Sequence, residues 1–273
     1  MLTLEALLNY AKERRMPASK ARGIVREYLQ VLILKELYRG ESGRKLFFTG
    51  GTYLRLVHGT KRFSEDLDFN AARLKKNDFE ASAHVIAREL KRLNIQCVVE
   101  FRHWKNIYAA DLIFPEVEKE YRIVSEHSRK EGLVIKFETN SPKWKIEPQT
   151  EVISGFSELY PCQCTQRGAL FADKIDALLT KARGRHLYDI IFMLSRNYPV
   201  DIKVLRALGY NKDPLELILD RVKEFSAREL KSQAQALRPF LFEEADAELI
   251  TNAHSIIPGM LEKYRASVIP SRL

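Results

Sequence analysis

The sequence predicts an α/β (α+β) protein in two parts, a mixed α/β half followed by an all-helical half, with the division near 155–165. Three observations carry this reading. Short apolar runs closed by glycine or charge recur between Lys45 and Thr139, which is how strands are punctuated. From about Arg167 onward, apolar residues recur at helical spacing to the end. Between the two lies Asn140 to Tyr160, irregular, with Pro142, Pro148 and Gly155. We therefore divide the chain into 1–160, N-terminal helices plus an α/β core, and 161–273, a helical domain.

In order, Leu4, Leu7, Leu8 and Ala11 sit at helical spacing, and Pro17 opens a longer helix that runs to about Tyr38. Gly40 to Gly43 breaks it. Lys45–Thr49 is a short apolar run that stops at Gly50-Gly51, a strand. A helix follows over 52–58, then a half-buried strand over 65–70, where charged and apolar residues alternate. Phe79–Leu93 is an amphipathic helix with Ala83, Ile86, Ala87 and Leu90 on one side. Strands are predicted at 95–101, 107–114 and 133–139, and one short strand near 151–153. Helices are predicted at 167–182, 185–196, 213–225 and 241–264.

Composition bounds the function. The chain has 273 residues, 45% hydrophobic and 30% charged, which excludes disordered, collagen-like and low-complexity classes. No stretch approaches the roughly 18 apolar residues of a membrane helix. The N-terminus has Glu5 and no basic n-region, so no signal peptide is expected and the cytoplasm is the expected location. Three cysteines are too few and odd in number for a disulfide framework; Cys162 and Cys164 read as free thiols rather than zinc ligands, with no second Cys/His pair nearby. The net charge of +9 suits a polyanionic partner such as nucleic acid or nucleotide phosphates.

The most informative segment is Phe48 to Thr52 followed by Arg62 to Phe69. Residues two apart on a strand share a face, so Asp66 and Asp68 project together while Leu67 and Phe69 enter the core. Neighbouring carboxylates repel, and a divalent cation removes that penalty. Oxygen ligands with open positions suit Mg²⁺ bridging substrate phosphates. Aspartate is depleted in strands, so two in one strand need a reason. Gly50-Gly51, between strand and helix, lets backbone approach a ligand closely, and Thr52 adds a hydroxyl. A third acid would complete a two-metal site. Glu138 is the candidate, on the polar face of its strand with Lys136; Asp111 is the rival.

Two charges stand where a core is expected. Lys174 borders the buried stripe of its helix and calls for an anion, either a phosphate or a salt-bridge partner. Asp189 is the only charge in the run Leu187–Leu194, and Lys174 or Arg185 is a reasonable partner. Arg167, Lys181, Arg183, Arg185 and His186 make this region basic, so that an RNA backbone or a triphosphate could lie there.

Taken together, the run from Gly50 through Phe69 closely resembles the first signature of the AbiEii/AbiGii-type nucleotidyltransferase toxins, the toxin halves of bacterial abortive-infection (phage-defence) toxin–antitoxin pairs, to which the MenT toxins are related. The run from Lys174 to Asp189 resembles their later signature. The resemblance implies a polymerase-β-like nucleotidyltransferase core with a mixed sheet, followed by a helical domain. It implies that Gly50, Gly51 and Thr52 hold nucleotide phosphates, that Asp66 and Asp68 bind Mg²⁺, that Lys174 contacts the triphosphate and that Asp189 is essential. Ser64, grouped with the nucleotide-binding residues, matches a serine that some relatives have phosphorylated by the antitoxin. His186 is a departure, since relatives often carry an acid or arginine there. The implied reaction transfers NMP from an NTP to the 3′ end of tRNA, blocking translation, with a cognate antitoxin encoded nearby and no membrane partner. The rivals are a nucleotidyltransferase acting on a protein or small molecule, phosphate transfer to protein hydroxyls, and a catalytically degenerate RNA-binding protein.

Overall fold

A computed structural model describes residues 1–104, 107–123 and 132–268. The chain divides into two compact units, residues 1–142 with 146–165, and residues 143–145 with 166–273. The boundary at 160 expected from the sequence falls inside a strand that ends at Thr165.

In the first unit the elements run α1 (Leu4–Glu13), α2 (Ala21–Arg39), β1 (Leu46–Thr49), α3 (Gly50–Leu56), β2 (Leu67–Ala71), α4 (Lys76–Arg92), β3 (Val98–Trp104), β4 (Ile107–Phe114), α5 (Val117–Glu120), β5 (Leu133–Asn140), β6 (Pro148–Gly155) and β7 (Glu158–Thr165). The strands form one seven-stranded mixed sheet in the order β3-β4-β5-β2-β1-β7-β6. The β1–β7 and β2–β5 pairs are parallel; the others are antiparallel. The two short strands β1 and β2 lie inside the sheet, and the residues that flank them carry the site.

Alternation along β2 decides which side chains reach the core. Leu67 and Phe69 are fully buried, while Asp68 between them is half-buried. Phe69 packs against Phe48 of β1 (ring centroids 5.5 Å) and Phe137 of β5 (5.2 Å), and Phe79 of α4 stacks on Phe137 at 4.7 Å. This aromatic layer fixes the register, because a one-residue slip would carry Asp68 inward. Helix α2 is buried nearly all round, and its Arg26 and Gln30 turn toward the segment that precedes β2.

The irregular stretch expected over 140–160, with one short strand near 151–153, is instead a long hairpin. Strands β6 and β7 pair from Pro148↔Thr165 to Gly155↔Glu158 around a turn in which Phe156 and Ser157 have φ of 51° and 65°. Two consecutive left-handed residues give the twist that two-residue hairpins prefer, but that turn normally shows Asn-Gly or Asp-Gly in the sequence. Tertiary contacts hold it here: the Phe156 ring lies 4.1 Å from Tyr10 of α1, and Tyr160 donates to the Val31 carbonyl at 2.6 Å. The strand expected at 95–101 is shifted to 98–104, because Asn94 turns the chain at φ 59° and buried Ile95 closes the end of α4. The thiols of Cys162 and Cys164 lie 3.3 Å apart in β7, and both are buried.

The second unit is helical among the described residues: α6 (Arg167–Lys181), α7 (Gly184–Ser195), α8 (Ile202–Ala207), α9 (Pro214–Glu224), α10 (Ala227–Leu237), α11 (Glu248–Thr251) and α12 (Ala253–Val268). The sequence reading has no helix at α8 or α10. Each is started by a cap. Asp201 accepts from the Lys203 and Val204 amides at 2.8 and 3.2 Å, and Ser226 with Glu229 forms a reciprocal capping box. The single helix expected over 241–264 is broken at Asn252, with short helical turns before it and α12 after it. No helix among the described residues is long and apolar enough to cross a membrane.

Candidate active site

The site is built outward from the glycine pair. Gly50 has φ +81°, a conformation that favours glycine. A Cβ placed on it would stand 2.2 Å from Asp68 Oδ2, and one on Gly51 would stand 2.6 Å from Arg62 Nη2 and 2.7 Å from Ser64 Oγ. The Asp68 carboxylate, the Arg62 guanidinium and the Ser64 hydroxyl therefore crowd onto the first turn of α3.

Asp66 stands at the entrance to β2 rather than inside it, one residue before Leu67. Its carbonyl accepts the Thr52 hydroxyl at 2.5 Å, and Thr52 is fully buried. Thr52 thus ties α3 to the backbone of Asp66. The segment Ser64–Asp66 is held from the other side by α2. Gln30 donates to the Ser64 and Glu65 carbonyls at 3.0 and 3.1 Å, and Arg26 pairs with Glu65 at 3.0 Å. Burial lowers the pKa of Arg26 from its usual value, against the opposing pull of Glu65. Glu27 grips Arg55 of α3 with two bonds of 2.8 and 3.0 Å. Such bidentate pairs fix orientation as well as distance.

Register supplies the third acid. In the parallel β2–β5 pair, Asp68 is the partner of Glu138, and in β1 its partner is Thr49. Residues in register on adjacent strands face the same way, so Glu138, Asp68 and Thr49 form one row across the sheet. Glu138 is half-exposed and ion-paired with Lys136. Burial works against the Lys136 ammonium, but the hydrogen bond it donates to Glu138 and the charges of Glu138, Asp66 and Asp68 outweigh it and raise its pKa. Lys136 therefore feels all three acids. The rival, Asp111, is buried on β4, opposite Lys136 in register, and ion-paired with Arg102.

The second unit holds the remaining predicted residues. Lys174 of α6 and Asp189 of α7 form an ion pair of 2.6 Å, with side-chain exposures of 8% and 0%. Asp189 accepts from Lys174, and Arg185 is half-exposed one turn earlier on α7. His186 is buried beside this pair, and neither ring nitrogen has a hydrogen-bond partner among the described residues. Burial lowers its pKa to about 3, and the charges of Lys174, Arg185 and Lys181 push the same way against Asp189. The imidazole is neutral at pH 7.

Three residues of the site were not singled out from the sequence. Arg62 is 3% exposed and donates to the Phe63 carbonyl at 3.1 Å, with its guanidinium at Gly51. Thr49 carries a buried hydroxyl with no partner among the described residues. Lys136 is the cation of the acid row. Only Arg62 had a sequence signal, a charge three residues before an acid run in a segment otherwise tied to the core by Phe63.

Among the described residues no three His, Cys, Asp or Glu side chains gather into a ready-made metal cage. Two half-buried carboxylates beside a glycine turn are a different arrangement, an oxygen-only donor set open on one side. That donor set fits Mg²⁺, which keeps waters and shares its coordination with substrate phosphates.

Comparisons with known proteins agree with this geometry. The fold is shared with several solved structures. JHP933 from Helicobacter pylori superposes with a TM-score of 0.54 at 18% identity, over 90% of this chain and 96% of that one. MenT4, a nucleotidyltransferase toxin from Mycobacterium tuberculosis, gives 0.52 at 14% identity, over 98% and 99%. No curated protein matches the sequence. The family described as nucleotidyl transferase AbiEii toxin, type IV toxin–antitoxin system, matches residues 32–252. The chain is a nucleotidyltransferase, and it belongs to the AbiEii toxin family. Membership implies a nucleoside triphosphate substrate and an antitoxin partner.

Proposed function

We propose that this protein is a Mg²⁺-dependent toxin that transfers NMP from an NTP to the 3′ end of tRNA, and so blocks translation and growth. The observation that carries the reading is the Asp68 carboxylate lying over Gly50, with Glu138 in register beside it. Asp66 and Asp68 would hold the ion, with Glu138 as the third acid. When bound, the ion neutralises phosphate charge and makes the attacking hydroxyl easier to deprotonate.

The chain's own residues do the rest. The bare backbone of Gly50 and Gly51 admits the triphosphate. Arg62 and Ser64 supply donors to its oxygens at the same turn. Thr52, Gln30 and Arg26 hold the segment that presents Asp66, so the carboxylates are positioned before substrate arrives. The acceptor hydroxyl attacks the α-phosphorus in line, the bond to the bridging oxygen breaks, and pyrophosphate leaves. Lys174 is assigned a triphosphate contact, Arg185 a contact to phosphate or RNA backbone, and Asp189 the role of keeping Lys174 charged and oriented. The net charge of +9 favours a polyanionic acceptor.

The test is incubation of the protein with each labelled NTP, Mg²⁺ and total tRNA. Label at tRNA 3′ ends, absent with Asp68→Asn and restored by no other acceptor, is the expected result. Label in a protein or small-molecule fraction with none in tRNA keeps the chemistry and overturns the acceptor. No transfer by wild type under conditions where NTP binds overturns the whole reading.

A further inference from the structure

Two threonines flank the glycine pair, and the structure treats their hydroxyls differently. The Thr52 hydroxyl donates to the Asp66 carbonyl. Thr49, the last residue of β1, is 8% exposed, and its hydroxyl has no hydrogen-bond partner among the described residues. Thr49 is also the N-cap residue of α3, where a threonine hydroxyl ordinarily accepts from an amide of the first turn. Here it makes no such bond. Capping is the usual structural use of a threonine in this position, so the fold itself does not account for the hydroxyl.

Register defines what the hydroxyl faces. Thr49 is the direct partner of Asp68 in the antiparallel β1–β2 pair, so both side chains leave the same face of the sheet. Opposite residues in such a pair have Cβ atoms about 4.5–5.5 Å apart. The next residue, Gly50, has φ +81° and brings bare backbone up to the Asp68 carboxylate. The Thr49 hydroxyl thus stands at the edge of the turn that is proposed to admit the triphosphate. A buried hydroxyl left unpaired costs stability, and a ligand that pairs with it recovers that cost on binding. The hydroxyl hydrogen rotates to suit its partner, and ionised phosphate oxygens only accept, so the threonine donates.

We propose that Thr49 is a nucleotide-binding residue whose hydroxyl donates a hydrogen bond to a non-bridging phosphate oxygen of the triphosphate. The proposal rests on the triphosphate lying at the glycine turn, the reading given above. A bond to an ionised oxygen is stronger than one between neutral groups. Forming it breaks no hydrogen bond of the Thr49 side chain, because the hydroxyl has none to give up. The hydroxyl therefore adds nothing to the stability of the empty protein and contributes only when nucleotide is present.

The test uses the whole protein with Mg²⁺ and two kinds of probe: the α,β-methylene analogue of each NTP, which cannot be cleaved at the reacting bond, and inorganic triphosphate. Calorimetric titration gives Kd, and thermal unfolding without ligand gives Tm. Thr49→Val keeps the shape of the side chain and removes the hydroxyl. It is expected to weaken the best-bound analogue and inorganic triphosphate alike, each at least about tenfold, with an unliganded Tm equal to or above that of wild type. Thr49→Ser, which keeps the hydroxyl, is expected to bind both within about threefold of wild type. Thr49→Ala supplies the affinities if the valine variant does not fold. Affinities of the hydroxyl-free variant within about twofold of wild type overturn the proposal. So does a loss confined to the nucleotide analogue, because the hydroxyl then meets sugar or base. So does a folded valine variant with an unliganded Tm several degrees below wild type, because the hydroxyl then has a partner inside the fold. Wild type that does not bind inorganic triphosphate overturns the reading of the turn as a triphosphate site, whatever the variants do.

Discussion

The two units hold their acids in opposite ways. In the first, Asp66, Asp68 and Glu138 are half-exposed on one side of a sheet, and their mutual repulsion is tolerated because solvent and Lys136 lie near. In the second, Asp189 is wholly buried against a buried Lys174. A half-exposed acid can change partners at small cost, whereas a buried one cannot lose its partner without leaving an uncompensated charge. The first arrangement fits the metal role proposed above. The second keeps a nearly buried lysine paired with a fully buried carboxylate.

Five variants sharpen or break this contrast, in order of expected size. Asp189→Ala strands the Lys174 ammonium and should cost about 3–5 kcal/mol of unfolding free energy. Denaturant titration measures it. The double variant Lys174→Met/Asp189→Leu should recover most of that stability; if it also recovers nucleotide transfer, Lys174 has no role in catalysis. Asp68→Asn should do the reverse, lowering transfer at least about a hundredfold, or about 2.7 kcal/mol in the barrier, with the unfolding midpoint nearly unchanged. A large loss of stability would place Asp68 with the buried pair instead.

Next comes acid sensitivity. The folded-state pKa of His186, about 3, lies below its unfolded value near 6.5, so the unfolded chain takes up the proton first. Stability from this group is complete above pH 6.5 and is lost as pH falls toward 3, amounting to about 2 kcal/mol by pH 5. His186→Gln should flatten that part of the stability–pH curve. An unchanged slope would mean that the imidazole is not held neutral. The smallest effect is Gly50→Ala. The left-handed backbone should cost about 1 kcal/mol in stability, while displacement of the Asp68 carboxylate should lower transfer disproportionately. Assays of both quantities on one preparation separate the two terms.

What could be read from the sequence follows a physical pattern. The strand–glycine–helix turn and the acids of β2 were legible because alternation of Leu67, Asp68 and Phe69 is a local signal tied to burial. Glu138 was legible for the same reason on β5, though its place beside Asp68 depends on the register of a parallel pair that no local pattern states. The hairpin of β6 and β7 was hidden because its turn is made by Phe156 and Ser157, and because Pro161 and two cysteines disguise β7. Helices α8 and α10 had their caps in plain view at Asp201 and Ser226, but short helices leave little periodicity to weigh. Thr49 was invisible as a site residue, since a hydroxyl at a strand end gains meaning only beside the Gly50 turn, and the signal at Arg62 was faint until Gly51 folded against it.

The parallel pairing of β2 with β5 has a consequence for the chain as it is made. Asp68 leaves the ribosome about seventy residues ahead of Glu138, with α4, β3 and β4 synthesised in between. The row stays open until that whole crossover has emerged and docked, and Lys174 comes later still. A nascent chain that ends before β5 therefore holds the first signature intact yet lacks the strand that sets Glu138 beside Asp68.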